Sequence, residues 1–110
     1  MSVPRFLQPY LASYNLSLLS LKGDRDIIIT QVLNSGDAEA IRWLLKFYTN
    51  KEIKEVLEKP TRGMWFRQSL SYWLKIYDVK ISKSSFEISI LDLNPRPRIY
   101  EKVFVQDVLR

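Results

Sequence analysis

Apolar side chains recur at helical spacing over most of this chain. Phe6, Tyr10 and Tyr14 stand at i, i+4 and i+8, with Leu7 and Leu11 beside them, but Pro9 interrupts the run. A proline is harmless only in the first helical turn, so the spacing predicts a short helix starting near Pro9. Leu16–Leu21 alternates weakly and reads as an extended connector that docks leucines on the core. Lys22-Gly23 breaks it, and Asp24 is a good N-cap for a helix over about residues 25–34. Ile28/Val32 and Ile29/Leu33 give that helix two adjacent i, i+4 pairs. Three successive isoleucines also suit a strand, but the cap before and Asn34-Ser35-Gly36 after favour a helix, with Gly36 ending it at positive φ. Asp37 then caps a helix running to Tyr48. Ile41, Leu44, Leu45 and Tyr48 follow the amphipathic template and Trp43/Phe47 flank them, which predicts burial around most of its circumference and a central place in the bundle. Asn50 is expected to cap the next helix, with Ile53, Val56 and Leu57 inside and Glu55 paired to Lys59. After the loop Lys59-Pro60-Thr61-Arg62-Gly63, residues 64–77 predict a further helix. It carries Trp65, Phe66, Leu70, Trp73, Leu74 and Tyr77 toward the core, and Arg67, Gln68, Ser71 and Lys75 elsewhere.

The pattern changes beyond residue 79. Residues 80–85 are polar, and Phe86-Glu87-Ile88-Ser89-Ile90 alternates strictly, as a half-buried strand does. Asn94-Pro95-Arg96-Pro97-Arg98 carries two prolines and is irregular. Residues 99–109 fit either a short helix or a strand partner for 86–90. The fold class is therefore mainly α: a compact four- or five-helix bundle over residues 1–79, and a C-terminal extension, 80–110, that suits a short strand or hairpin. Such an extension either folds onto the bundle or docks on a partner.

Composition narrows the chemistry. The 110 residues suffice for one domain with one core, and 46% of them are hydrophobic. There is no histidine and no cysteine. Ser-His-Asp triads, histidine-based zinc sites, thiolate nucleophiles and disulfides are thereby excluded. Carboxylates are the remaining acid–base candidates. Asp24/Asp26 and Asp37/Glu39 both sit at helix starts, where capping and the helix dipole account for them. No glycine-rich phosphate loop is present. The expectation is a non-enzymatic protein without cofactor or metal. No apolar run reaches the roughly 18 residues of a membrane span, and the first residues lack the apolar core of a secretory signal. A cytoplasmic protein without a membrane partner is expected.

The formal charge is +5 and is unevenly distributed. Basic and acidic residues balance at seven each through residue 58, so the excess lies beyond it. Between 59 and 83, Lys59, Arg62, Arg67, Lys75, Lys80 and Lys83 face a single acidic residue, Asp78. With Gln68, these six form a candidate nucleic-acid surface. The helix pair 25–34 and 37–48 has the lengths of a helix-turn-helix. Its second helix, however, offers apolar residues and Glu39 where a recognition helix presents polar groups to bases.

Leu7-Gln8-Pro9-Tyr10, Tyr14, Leu19, Leu21, Ile28, Val32-Leu33, Gly36-Asp37, Arg42-Trp43-Leu44, Tyr48, Ile53, Val56-Leu57 and Tyr72-Trp73 form a longer signature over about residues 6–77. It resembles a family of small, mostly uncharacterised prokaryotic helical proteins often encoded beside nucleotidyltransferase-like toxins of abortive-infection systems. The resemblance implies an antitoxin in a toxin–antitoxin system, with a cognate toxin as partner, and brings no catalytic site. The chain departs from the pattern in having Gly23-Asp24-Arg25 where a histidine and basic residues often stand, and in its tail. In that tail Phe86, Ile88, Ile90, Tyr100, Val103 and Phe104 are the expected apolar anchors for protein–protein interaction. Arg96 and Arg98 are the expected partners for acidic groups. A DNA-binding regulator using residues 59–83 is the alternative, and homo-oligomerisation is compatible with either.

Overall fold

Helix α1 (Arg25–Ser35) is the element on which the others are assembled, in a computed structural model that describes residues 3–91. Ile28, Ile29, Thr30, Val32, Leu33 and Asn34 are all buried, so α1 is enclosed on most of its sides. It touches the N-terminal 3₁₀ helix Arg5–Leu11 and the helices α2 (Ala38–Phe47), α3 (Asn50–Glu58) and α4 (Arg67–Ile76). The central place expected for the helix ending at Tyr48 therefore belongs to α1. In α2 only Ala40 and Leu44 are buried, Leu45 is exposed, and Trp43 and Phe47 are partly covered. The two rings stack on each other at 5.3 Å with planes 7° apart. The aromatic density of this tract makes a stacked pair on the rim of the core, and one face of α2 stays in solvent.

The caps follow local hydrogen bonding. Asp37 accepts from the Ala40 N–H at 2.9 Å and starts α2 as expected. Asp24 stands at the N-cap position of α1, but its carboxylate accepts from the Ser20 N–H at 2.8 Å and closes the preceding turn. The cap of α3 is Thr49, one residue before the expected Asn50. Thr49 and Glu52 form a reciprocal capping box, with Glu52 N–H to Thr49 Oγ1 at 3.1 Å and Thr49 N–H to Glu52 Oε1 at 2.8 Å. Glu55 pairs with Arg25 of α1 at 2.9 Å, across the bundle, where Lys59 was the expected partner. Gly36 has φ −68°, so it does not end α1 by a left-handed turn. A Cβ there would lie 2.6 Å from the Val32 carbonyl oxygen and 3.2 Å from Ala40 Cβ. The residue must be glycine for space, because α2 leaves α1 at close quarters.

The N-terminal segment is a 3₁₀ helix with Pro9 inside, and Leu7 and Leu11 are its buried pair. Pro9 has no N–H to continue an α-helical ladder. The connector includes a short 3₁₀ turn, Leu16–Leu18, started by the Asn15 side chain, and Leu21 at its end is buried.

The largest departure from the periodicity is at the C-terminal side. Residues 86–90 were expected as a strand; instead α5 spans Lys83–Ser89. Ser82 caps it, accepting from the Ser85 N–H at 3.0 Å. Phe86, Ser89 and Ile90 form the inward side at i, i+3 and i+4, while Ile88 is 49% exposed and Ser89 is buried. That is the reverse of what alternation requires. Among the described residues only Ile90 pairs in β fashion, in an isolated parallel bridge with Trp65. The Trp65 N–H donates to the Ser89 carbonyl (2.9 Å), the Leu91 N–H to the Trp65 carbonyl (2.7 Å) and the Gly63 N–H to the Ile88 carbonyl (3.0 Å). Committed to this ladder, residues 64–66 are extended and α4 begins at Arg67, three residues later than expected. The strand or helix considered for 99–109 lies outside the described residues.

Candidate functional site

The C-terminal half of α4, the turn after it and the start of α5 enclose a groove of about 510 Å³. Leu74, Val79, Ile81 and Phe86 supply apolar surface; Lys75, Lys80 and Lys83 supply charge, with Ser71 beside them. Among the described residues, no carboxylate lines it. Three structural devices hold these residues in place.

The first pins α4 to the end of α1. Asn34 Nδ2 donates to the Met64 carbonyl at 3.1 Å, and Asn34 Oδ1 accepts from the Phe66 N–H at 2.8 Å. In return, Ser69 Oγ donates to the Asn34 carbonyl (3.1 Å) and Trp73 Nε1 donates to the Leu33 carbonyl (3.0 Å). Carbonyls of a helix's last turn have no partner in their own ladder. Here α4 provides two of the missing donors. The second device ends α4. The Asp78 N–H donates to the Lys75 carbonyl and the Val79 N–H to the Leu74 carbonyl, with Asp78 at φ 54°. This is a Schellman motif with an aspartate in the left-handed position. It folds Val79 back onto Leu74, the apolar contact that such a turn favours, and so builds one side of the groove.

The third device clamps α5 to α4. Arg67 donates from Nη1 and Nη2 to the two oxygens of Glu87 at 2.9 and 2.7 Å, and its guanidinium lies 5.5 Å from the Phe86 ring centroid. The hydrogen bonds from Arg67 hold the Glu87 carboxyl below its ordinary value of 4.5. Reciprocally, the bonds to Glu87 raise the Arg67 guanidinium above its usual value. Both side chains are largely solvent-accessible, so the clamp orients α5 more than it stabilises the fold.

The seven residues of the expected nucleic-acid surface are separated by this arrangement. Lys75, Lys80 and Lys83 meet at the groove, while Lys59 and Arg62 stand on the exposed loop before it and do not line it. Arg67 is engaged by Glu87. Gln68 lies on a different stripe of α4, with Tyr72 and Ile76 at i+4 and i+8, each of them 55% exposed. Among the expected anchors, Phe86 lines the groove, Ile88 is exposed, and Ile90 is held at the bridge to Trp65. Arg96, Arg98, Tyr100, Val103 and Phe104 lie outside the described residues. The pattern had not pointed to Val79, Ile81, or the Tyr72/Ile76 stripe. An i, i+4 apolar pair opposite the buried Leu70 and Trp73 was the available signal for that stripe.

Among the described residues, no group of three His, Cys, Asp or Glu side chains is placed to hold a metal ion, and no helix is long and apolar enough to cross a membrane. Asp37 accepts its capping bond from Ala40, which holds its carboxyl below the usual value. The arrangement offers binding chemistry: an apolar surface bordered by ammonium groups.

Compared with known proteins, residues 12–57 are similar to a family of unknown function, DUF6922. The match covers less than half of the chain and runs from the end of the N-terminal 3₁₀ helix to near the end of α3; α4, α5 and the groove lie beyond it. No curated protein and no solved structure matches the chain.

Proposed function

We propose that this chain is a non-enzymatic, antitoxin-like protein that binds and neutralises a cognate toxin through the surface formed by α4, α5 and the residues after them. The observation that carries the reading is the groove in which Leu74, Val79, Ile81 and Phe86 adjoin Lys75, Lys80 and Lys83, with no carboxylate among the described residues that line it. Apolar anchors give protein interfaces most of their affinity, and surrounding charges steer association and choose the partner. The absence of histidine and cysteine from the sequence removes the commonest catalytic side chains and fits the same reading. A nucleotidyltransferase-like toxin is the partner that the sequence resemblance suggests. Where the neighbouring gene encodes a nucleotidyltransferase-like toxin, co-expression of the two proteins should relieve growth arrest and yield a stable complex. Persistent arrest with no complex would count against the proposal.

DNA binding through 59–83 is the second reading, favoured by the exposure of Lys59, Arg62, Lys75, Lys80 and Lys83. It predicts retardation of DNA at low salt with a steep loss as salt rises, from counterion release. Unretarded DNA at low salt would eliminate it.

A further inference from the structure

We infer that the α4–α5 groove takes an acidic segment of a protein partner. One aromatic or leucine side chain seats against Leu74, Val79 and Phe86, with carboxylates on either side meeting Lys75, Lys80 and Lys83. The inference rests on the protein-binding reading above and specifies the chemistry of the partner.

Charge complementarity identifies the occupant. Among the described residues, three ammonium groups and no carboxylate line the groove, so an uncharged apolar segment would leave their charge unanswered. A nucleic acid answers the charge but not the apolar surface. Single strands gain affinity by stacking bases on aromatic faces. Among the described residues, Phe86 is the one aromatic side chain that lines the groove, and the Arg67 guanidinium already lies over its ring. A fatty acid carries one carboxylate, which answers one ammonium and leaves two. An acidic segment with one bulky apolar residue answers both the charge and the apolar surface. A volume of about 510 Å³ lies within the range of small-ligand sites, which leaves room for an aromatic side chain and its flanking backbone.

The test is a ¹H–¹⁵N NMR titration of the full chain with a short synthetic peptide that has a central phenylalanine between two pairs of aspartates. Resonances of Leu74, Lys75, Val79, Lys83 and Phe86 should shift together and saturate. A serine in place of the peptide phenylalanine should weaken binding about tenfold or more, as loss of an anchor does. The double variant Lys75→Glu, Lys83→Glu should also weaken it about tenfold or more, by placing like charges opposite each other. Both lysines are exposed, so the variant should keep the wild-type circular dichroism. The control Lys59→Glu, Arg62→Glu makes the same charge change outside the groove and should bind the peptide as wild type does. Equal binding of the serine peptide, equal loss in the control variant, or no saturable shift at millimolar peptide would overturn the inference. If the toxin binds wild type and the Lys75/Lys83 variant equally, the groove inference fails and partner binding stands. If the peptide binds as described and the toxin does not bind at all, the groove stands and the antitoxin reading fails.

Discussion

Gly36 carries more structural consequence than its single hydrogen substituent suggests. An alanine there would press its methyl group against the Val32 carbonyl oxygen at 2.6 Å, a backbone atom that cannot turn aside. Gly36→Ala should therefore destabilise the protein by about 1–3 kcal/mol, the usual cost of overpacking, measured as a lower midpoint in denaturant unfolding. Thr30 gives the opposite expectation. Its side chain is fully buried in α1, and its hydroxyl has no hydrogen-bond partner among the described residues. Thr30→Val keeps the shape and removes the unsatisfied group, so it should stabilise by about 1 kcal/mol. Thermal unfolding should register this as a rise of about 4 °C. Tyr48 supplies a pH dependence. Its hydroxyl donates to the Leu21 carbonyl at 2.6 Å, and burial, reinforced by Glu52, pushes its pKa up to about 12. The folded value lies above the ordinary 10.0, so the neutral phenol's contribution is complete below pH 10 and is lost as pH rises toward 12. Wild type should lose stability steeply across that interval, and Tyr48→Phe should lose less. Parallel curves for the two proteins would contradict this role.

Among the elements, α5 depends most on a specific pair. Arg67 holds Glu87 in its ionised form, so that contribution is present above about pH 4.5 and falls away as pH drops through the depressed value of the Glu87 carboxyl. Glu87→Gln should speed hydrogen exchange at the Trp65 and Leu91 amides, which bond between loop and helix end, while the amides of α1 stay protected. Unchanged exchange at those two amides would show that the backbone ladder holds α5 without the clamp. The helices α1, α2 and α3 were legible from periodicity and cap residues because their signals are local: i, i+4 apolar pairs, Asp37, and the polar break at 34–36. The exchange of places between α1 and α2 was not legible. Whether Trp43 and Phe47 face the core or each other depends on what lies beside them in space. The strand expected at 86–90 failed for a related reason. Phe86, Ile88 and Ile90 alternate, but Phe86, Ser89 and Ile90 also lie at helical spacing, and Ser82 stands ready as a cap. In so short a segment, the cap and the docking of Ser89 outweigh the period-two pattern.

Over the molecule as described, the chain divides into a scaffold and a surface. The scaffold is α1 to α3 with the N-terminal leucines, and it contains most of the stretch similar to DUF6922. The surface is the outer side of α4 and the start of α5, pinned by Asn34 and clamped by Arg67, while Leu70 and Trp73 on the inner side of α4 complete the core. The lysines of the groove were legible as a basic run, and Phe86 as an apolar anchor. Val79 and Ile81 were not, because Val79 reaches the groove only through the left-handed turn at Asp78, which periodicity does not report. The central proposal is that this surface binds a protein. The most direct measurement is a calorimetric titration of the purified chain with the protein product of its neighbouring gene, at two or more temperatures. Saturable binding with a negative heat-capacity change, the mark of buried apolar area, is the predicted result. No binding heat at any temperature, together with salt-sensitive binding of the same chain to DNA, would contradict it.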